Sequence, residues 1–398
     1  MDEVYVQALV LAAVAVALLQ LLKAALNPMT ERPPPGPWKL PVIGSMHHLV
    51  NVLPHRKLRD LADAHGPLMM LQLGQTPLVV ASSKETARLV LKTHDSNFAT
   101  RPKLLAGQIV GYEWADILFS PSDDYWRKLR HLCTAEILSP KRVRSFRHIR
   151  EDEVRMRVDQ IRQAGPSAPV NLSVMFHNVT NSIVARAAFG KKRKNAAEFQ
   201  AAIKSGVGLA SGFNIPDLFP TWTTVLAKLT GMKRSLQDIH KTESNLQYLK
   251  MVIKEALRLH PPAPLLVPRE SIDQCELEGY TVPAKSRVII NAWAIGRDPK
   301  YWEAAEEFLP ERFEDSTVDF TGSSYEFLPF GAGRRMCPGF NYGLASMELA
   351  LVGLLYHFDW SLPEGVAEVD MEEAPGLGVR RLTPLMLLAT PFVPAAMA

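Results

Sequence analysis

The stretch Pro329-Phe330-Gly331-Ala332-Gly333-Arg334-Arg335-Met336-Cys337-Pro338-Gly339 is the most informative part of this 398-residue sequence. Glycines around a single cysteine allow positive φ angles and a tight turn, in which backbone N–H groups can point at the sulfur. An apolar run follows directly and predicts a helix, whose N-terminal dipole favours a thiolate over a thiol. The pattern therefore indicates a loop that holds one charged sulfur.

The chain contains only two other cysteines, Cys133 and Cys275, and neither lies at metal-ligand spacing from Cys337. An odd number of widely spaced cysteines argues against a disulfide framework and for a reducing compartment. A lone thiolate cannot build a zinc site, but it can be the one protein ligand of haem iron. A buried free cysteine in a glycine-rich turn is the alternative, and the loop alone leaves both interpretations open.

The loop matches the haem-binding signature of the cytochrome P450 family, Phe-x-x-Gly-x-Arg-x-Cys-x-Gly, at Phe330, Gly333, Arg335, Cys337 and Gly339. The sequence thus resembles a plant-type microsomal cytochrome P450, a haem-thiolate monooxygenase. This resemblance implies a haem b cofactor with Cys337 as the axial thiolate of the iron. It also implies that Phe330 packs on the thiolate side of the haem and that Arg335 pairs with a haem propionate.

Trp126 and Arg130 stand at i and i+4, so an indole N–H and a guanidinium share one side of a predicted helix. From spacing alone, an ordinary amphipathic helix explains them better than a carboxylate-binding pair. The resemblance reverses that preference, because the family places a Trp-x-x-x-Arg pair in this region at a haem propionate. Arg269 and Arg101 match further propionate-binding positions of the family.

Glu255 and Arg258 stand at i and i+3 on the best-defined predicted helix and can pair across its surface. Such pairs are mostly solvated and contribute under about 1 kcal/mol. Here Arg312, in Pro310-Glu311-Arg312-Phe313, resembles the third member of the family's Glu-Arg-Arg structural triad. The predicted role of the three residues is to hold the cysteine loop.

The N-terminal segment, residues 1–26, is predicted to be a membrane anchor. Val4 to Leu22 is uncharged and almost wholly apolar, interrupted only by Gln7 and Gln20, with acidic residues before it and basic residues after it. Its length and flanks predict one uncleaved span with the body on the cytosolic side, and disfavour a cleaved signal peptide. A proline-rich hinge follows at 27–45, then the haem-thiolate domain at 46–398. The predicted location is the endoplasmic reticulum membrane.

Composition predicts a folded domain with a large core, because the chain is 47% hydrophobic and 22% charged. A net charge of +4, without a dense basic stripe, argues against nucleic acid binding. Periodicity predicts a mainly α fold with small β-sheets. The predicted elements are a hairpin within Pro67–Ser82, helices at Lys84–His94, Glu153–Gln163, Ser244–His260 and Tyr342–Leu355, and strands at Tyr280–Val282 and Arg287–Asn291.

Members of this family carry a long central helix with an acid–Thr pair in an Ala/Gly-Gly-x-Asp/Glu-Thr context. Such a run is absent from this sequence, which passes from Ile239-His240-Lys241-Thr242 directly into Glu243-Ser244-Asn245-Leu246. In the family about a hundred residues separate the corresponding segments, so the chain is predicted to be internally truncated near 241–244. No catalytic acid–Thr pair is therefore identified.

The resemblance implies insertion of one oxygen atom of O₂ into a lipophilic small molecule, with electrons from an NADPH-dependent reductase at the membrane. The loop after Pro102 and the stretches Ala263–Val267 and Pro375–Val379 would line the substrate pocket. Overall similarity suggests plant specialised metabolism, including terpenoid oxidation. Two alternatives remain: a haem-binding or regulatory product that cannot activate oxygen, and a membrane-anchored scaffold without haem.

Overall fold

The computed structural model describes residues 32–109, 111, 113–189 and 247–392. Helices make up most of the regular structure in these ranges, as the apolar periodicity predicts. They are α1 (Pro54–His65), α2 (Lys84–Arg88), α3 (Leu105–Ile109), α4 (Asp124–Leu132), α5 (Pro140–Ser145), α6 (Arg147–Ala164), α7 (Leu172–Phe189), α8 (Gln247–Leu259), α9 (Ala292–Ile295) and α10 (Phe340–His357).

The strands form small separate sheets. A four-stranded sheet has the order β1-β2-β7-β4, a three-stranded sheet has the order β3-β11-β8, and β5-β6 and β9-β10 are two-stranded. The strands are β1 (Leu68–Leu73), β2 (Thr76–Ala81), β3 (Val170–Asn171), β4 (Arg269–Glu270), β5 (Cys275–Leu277), β6 (Tyr280–Val282), β7 (Arg287–Ile290), β8 (Phe358–Ser361), β9 (Glu373–Ala374), β10 (Arg380–Arg381) and β11 (Met386–Pro391).

The predicted hairpin is confirmed. β1 and β2 pair antiparallel from Leu68 opposite Ala81 to Leu73 opposite Thr76, with Gly74 at a φ of 60° in the turn. β7 then joins β2 in parallel. Most side chains of β1, β2 and β7 are buried, because the sheet is covered on both faces.

The predicted helix bounds need correction. The run from Lys84 is α-helical only to Arg88 and continues as a π-helical turn over Leu89–Thr93. α6 begins six residues before the predicted Glu153, and α10 extends two residues beyond the prediction at each end. Asn291 caps α9 through its side chain and is therefore not part of β7. α8 ends before Pro261, as a following proline requires.

Helix α10 connects the cysteine loop to the core. Its Ala350 and Leu354 pack in one buried cluster with Val158 of α6 and Ile183 of α7. Its Leu344 packs in another cluster with Ile253 of α8. α10 therefore packs against the core through two buried clusters. Because α10 begins just after the cysteine loop, this packing fixes the position of the end of the loop.

Some predictions lie outside the described residues. The anchor at 1–26 and the chain junction near 241–244 are among them. Within the described ranges, no helix is both long and apolar enough to cross a membrane. The later part of the predicted hinge lies against the body, since Pro35 accepts a hydrogen bond from Met70 N at 2.8 Å and Pro34 and Pro37 are buried.

Candidate cofactor site

The cysteine loop is a tight turn built on two glycines with positive φ. Gly331 has a φ of 68° and Gly333 a φ of 67°. A Cβ at Gly333 would clash with Leu91 O and lie 2.6 Å from an oxygen of Asp95, so no larger residue fits. Cys337 N donates to Phe330 O at 2.9 Å, which closes the loop. The turn ends two residues after the cysteine, and α10 begins at Phe340.

Cys337 is exposed, although its thiol is partly desolvated by the surrounding protein atoms. This partial enclosure raises the pKa of the Cys337 thiol, while a hydrogen bond from the backbone of Gly339 and the charge of Arg130 pull it down. Cys337 is therefore accessible to a ligand, and the Gly339 N–H and Arg130 are the groups beside it that would stabilise a thiolate.

Phe330 lies beside the loop in an aromatic cluster. Its ring centroid is 5.6 Å from that of Phe320 and 6.0 Å from that of Phe340. Both are partly buried neighbours of the core that contains α8. The ring thus joins the start of the loop to the start of α10.

Four guanidinium groups gather near the loop: Arg101, Arg130, Arg269 and Arg335. Burial, followed by the charges of Arg269 and Arg335, lowers the pKa of Arg101 well below its usual value. Burial, followed by the charges of Arg269 and Arg130, lowers the pKa of Arg335 to about 9. Within the described part of the chain, the Arg269–Asp95 ion pair at 2.9 Å is the only direct one among these four. The cluster therefore favours an added anion.

Arg335 carries an open donor. Its Nε donates to Ala99 O and its Nη2 to Ser120 O, each at 2.6 Å. Its Nη1 is buried and has no hydrogen-bond partner among the described residues. A buried unpaired donor costs free energy, about 1–3 kcal/mol, unless an acceptor is supplied. The geometry therefore gives Arg335 one hydrogen bond left to make.

Trp126 and Arg130 lie on α4 as predicted, and their predicted contact with a propionate stays a prediction. The indole Nε1 of Trp126 donates to Ile117 O at 3.1 Å and is not directed with Arg130 at a shared carboxylate. Arg335 lies over the indole ring at 3.8 Å. Arg130 is partly buried and close enough for its charge to act on the Cys337 thiol.

Arg101 and Arg269 mainly hold backbone. Arg101 donates to Leu118 O from Nε and to Val267 O and Pro268 O from Nη1, at 2.8–3.0 Å. Arg269 donates to Ala332 O at 2.9 Å as well as to Asp95. These donors are used by the protein, and the predicted contact of Arg101 and Arg269 with a propionate stays a prediction.

Asp95 is a site residue that sequence analysis did not identify. Besides pairing with Arg269, it accepts from Arg334 N at 3.0 Å, so it connects β4 to the cysteine loop. These partners lie 174 and 239 positions away in sequence. No spacing pattern reveals a contact over such separations.

The structure brings Glu255, Arg258 and Arg312 together in a buried network. Arg258 donates twice to Glu255 at 2.8 Å, and Arg312 Nε donates to Glu255 Oε1 at 3.0 Å. Burial opposes ionisation of the carboxyl, but its bonds to Arg258 and to Leu309 N lower the pKa of Glu255. Arg258 also donates to Gly296 O and Ala305 O, which ties α8 to the chain before the cysteine loop.

These residues fit a haem group. The exposed thiol supplies one soft ligand for iron, while the unpaired Nη1 of Arg335 and the charge of Arg130 suit a propionate. The described residues contain no group of three or more His, Cys, Asp or Glu side chains placed to bind a metal without a cofactor. A single cysteine thiolate can be the protein ligand of haem iron, and this is the metal chemistry that the loop supports.

The site and the fold define a haem-thiolate protein. The family model for cytochrome P450 matches residues 33–243 and 229–388, and the chain belongs to the cytochrome P450 family. A solved zebrafish cytochrome P450 with progesterone has the same fold: the TM-score is 0.68 at 20% identity, over 86% of this chain and 100% of that one.

Among curated proteins the chain is similar to plant oxygenases. It is 40% identical to premnaspirodiene oxygenase of Hyoscyamus muticus, over 93% of this chain and 95% of that protein. It is 39% identical to 5-epiaristolochene 1,3-dihydroxylase of Nicotiana tabacum, with the same coverage, and 38% identical to germacrene A hydroxylase of Barnadesia spinosa, over 91% and 93%. The first alignment spans 477 positions, more than the chain contains, so it places gaps in this chain.

Proposed function

We propose that this chain is a haem-thiolate monooxygenase that inserts one atom of O₂ into a lipophilic plant metabolite. The observation that carries the proposal is the exposed Cys337 thiol on a tight loop at the start of α10, beside a cluster of arginines short of counter-charge. Similarity to plant oxygenases and hydroxylases over more than nine-tenths of the chain supports the reaction type.

Each residue of the site has a proposed task. Cys337 holds the iron as its thiolate, with the Gly339 N–H and Arg130 stabilising the negative sulfur. Arg335 binds a propionate through Nη1, which has no other partner among the described residues. When bound, haem supplies the iron at which O₂ is activated. Arg101, Arg269 and Asp95 hold the loop in place around it.

The proposed substrate is a terpenoid hydrocarbon or a molecule of similar polarity. The names of the relatives support this class, since premnaspirodiene, 5-epiaristolochene and germacrene A are apolar hydrocarbons. The predicted pocket-lining stretches point the same way. Leu377 packs with Leu104, Leu105 and Phe119, so two of these stretches meet in one apolar cluster.

The proposed setting is the endoplasmic reticulum membrane, with residues 1–26 as a single anchor and the body facing the cytosol. The uncharged run from Val4 to Leu22 and its flanking charges support this topology. A flavin-containing, NADPH-dependent reductase at the same membrane is the proposed electron donor.

We further propose that an internal segment of the family is missing near 241–244. The family model matches in two pieces that overlap at residues 229–243, and the alignment with premnaspirodiene oxygenase is longer than the chain. The residues expected in that segment include the acid–Thr pair that delivers protons during oxygen activation. Turnover must therefore be tested separately from haem binding.

The first test is the reduced, carbon-monoxide-bound absorption spectrum of the full 398-residue chain. We expect a strongly red-shifted Soret band that is lost in Cys337→Ala. Cys133→Ala is the matched control, because Cys133 also lies near Arg130 but outside the loop. No such band in the wild-type chain would contradict the proposal.

The second test is turnover of premnaspirodiene by the haem-loaded chain with a plant reductase and NADPH. Oxygenated product that depends on Cys337 supports the complete proposal. A red-shifted band without product, even with other terpenoid hydrocarbons, would overturn the monooxygenase assignment and leave a haem-binding protein without oxygenase activity.

A further inference from the structure

The hairpin that carries the predicted pocket-lining turn 375–379 has little backbone support of its own. β9 and β10 pair at two positions, Arg380 opposite Ala374 and Arg381 opposite Glu373, and this pair joins no larger sheet in the described ranges. An isolated two-stranded hairpin is marginally stable in water. The position of the turn must therefore depend on contacts made by side chains and by the ends of the hairpin.

Among these contacts are the ion pairs made by Glu373, the first residue of β9. Its Oε2 accepts from His55 Nε2 at 3.2 Å and from Arg56 Nε at 3.0 Å, and Arg56 Nη2 lies 2.9 Å away. Burial opposes ionisation of the carboxyl, but the bonds and charges of His55 and Arg56 outweigh it and lower the pKa of Glu373 to about 2. The carboxylate is thus charged and directed at α1.

His55 is a rigid partner. It is 2% exposed, and its ring packs edge-on against Trp293 with centroids 5.1 Å apart. Its carbonyl oxygen accepts from Asn291 Nδ2 at 2.8 Å, and the same Asn291 caps α9. The helix that presents His55 also places Leu58 in the core beneath the four-stranded sheet. Glu373 is therefore bonded to a helix that is packed into a buried cluster of the core.

The far side of the hairpin is the turn itself. Val379 N donates to Pro262 O at 2.9 Å, which joins the turn to the segment after α8. Leu377 packs against the cluster of Leu104, Leu105 and Phe119. A cavity of about 110 Å³ lies beside the Glu373–His55 pair and borders Val379. This cavity leaves room for the turn to shift once the bonds of Glu373 to His55 and Arg56 are removed.

We propose that Glu373 is a positioning residue of the substrate pocket, and that its bonds to His55 and Arg56 hold the 375–379 turn in place as a pocket wall. The inference rests on the proposed function, because it takes the inner face of the turn to contact a lipophilic substrate. Glu373 acts through the turn and through α1, so its loss changes substrate binding without removing a haem ligand.

Two variants weaken the bonds between Glu373 and α1 in different ways. Glu373→Gln keeps the shape of the side chain and removes its charge, and His55→Phe keeps a ring against Trp293 and removes the donor. Glu372→Gln is the matched control, since Glu372 is exposed and loses the same charge one residue away. All are made in the full-length chain, and amide hydrogen exchange of the peptide covering 375–382 is measured alongside peptides from α10.

We expect exchange in the 375–382 peptide to speed up about tenfold in both variants, with α10 and the control unchanged, because only the local opening is affected. Wild-type exchange in that peptide for both variants would overturn the proposal. Equal acceleration in α10 would also overturn it, since that result means general destabilisation. This measurement needs neither haem nor substrate, so it is independent of the proposed function.

The pocket role is tested with premnaspirodiene on haem-loaded protein. We expect its spectral dissociation constant to rise about tenfold in Glu373→Gln, the equivalent of about 1.4 kcal/mol, while the carbon-monoxide spectrum stays as in wild type. Unchanged binding in a variant whose turn has loosened would overturn the pocket role. If the wild-type chain does not bind premnaspirodiene, the proposed substrate is wrong, and the positioning of the turn is judged on exchange alone.

Discussion

The guanidinium of Arg335 lies 3.8 Å above the ring centroid of Trp126. The indole face stabilises the cation, and its N–H is directed away to Ile117 O. Two carbonyl oxygens fix the same guanidinium, which leaves Nη1 without a partner among the described residues. Trp126 therefore positions the arginine that we propose to bind a propionate.

Arg335→Lys is expected to weaken haem binding about 10- to 100-fold. The planar guanidinium of Arg335 can bond two carbonyl oxygens, stack on the Trp126 ring and still donate to a propionate, and a lysine ammonium cannot make all of these contacts. Haem retention after gel filtration, measured by absorbance, tests this. Arg334→Lys is the control, since Arg334 is an exposed neighbour in the same loop. Equal haem loss in both variants would contradict the specific role of Arg335.

Much of the fold follows from local sequence signals. The β1–β2 hairpin is predictable from alternation around Gly74, and α8 from its apolar face and the prolines after it. The two-residue strands β3, β4, β9 and β10 are not, since two residues are too few to show a periodicity, and β3 pairs with the distant β11. The π-helical turn at Leu89–Thr93 likewise has no signal that separates it from an α-helix.

The residues of the site also divide into those that the sequence identifies and those whose roles only the packing reveals. Cys337 and the glycines of its loop are identifiable because each needs a particular residue type at a fixed spacing. The difference between Arg335, which keeps an open donor, and Arg101, which is bound to backbone carbonyls, depends on chain segments more than a hundred residues apart. Arg101 and Arg335 carry the same charge, so the sequence does not separate their roles. Only the packing around each guanidinium determines which groups it binds.

Gly333→Ala is expected to disrupt the cysteine loop. Its φ of 67° costs about 1–2 kcal/mol for an alanine, and the added Cβ would meet Leu91 O and Asp95. Gly343→Ala, in α10, has nothing within 4 Å of its Cβ and should stabilise by about 0.5–1 kcal/mol. Urea unfolding and haem retention of both variants test this, and a Gly333→Ala variant that retains haem normally would contradict it.

Glu255→Gln is expected to destabilise the fold by about 3–5 kcal/mol, because it leaves Arg258 buried and uncompensated. The free energy of unfolding from urea titration is the measurement. Glu314→Gln, at an exposed position just after the Arg312 segment, should change it by less than about 0.5 kcal/mol. A loss for Glu255→Gln no larger than for this control would show that the network does not stabilise the fold.

Glu348 on α10 gives a prediction for pH. It is 5% exposed and borders a cavity of about 1010 Å³, and burial raises its pKa to about 7 against the opposing charge of Lys250. The folded state therefore holds a proton that the unfolded chain releases near its ordinary pKa of 4.5. The contribution of Glu348 to the free energy of unfolding is complete below pH 4.5. It falls as the pH rises to about 7, and it is absent above that pH.

The full shift would correspond to about 3 kcal/mol, and solvent screening of a group that borders an open cavity reduces this to about 1–2 kcal/mol. Glu348→Gln mimics the neutral acid, so it should match wild type near pH 5 and be more stable by that amount at pH 8. Unfolding free energies across this range test the difference, with the exposed Glu364→Gln as control. A constant difference at all pH values would mean that the carboxyl does not titrate in this range, and that the variant acts through packing alone.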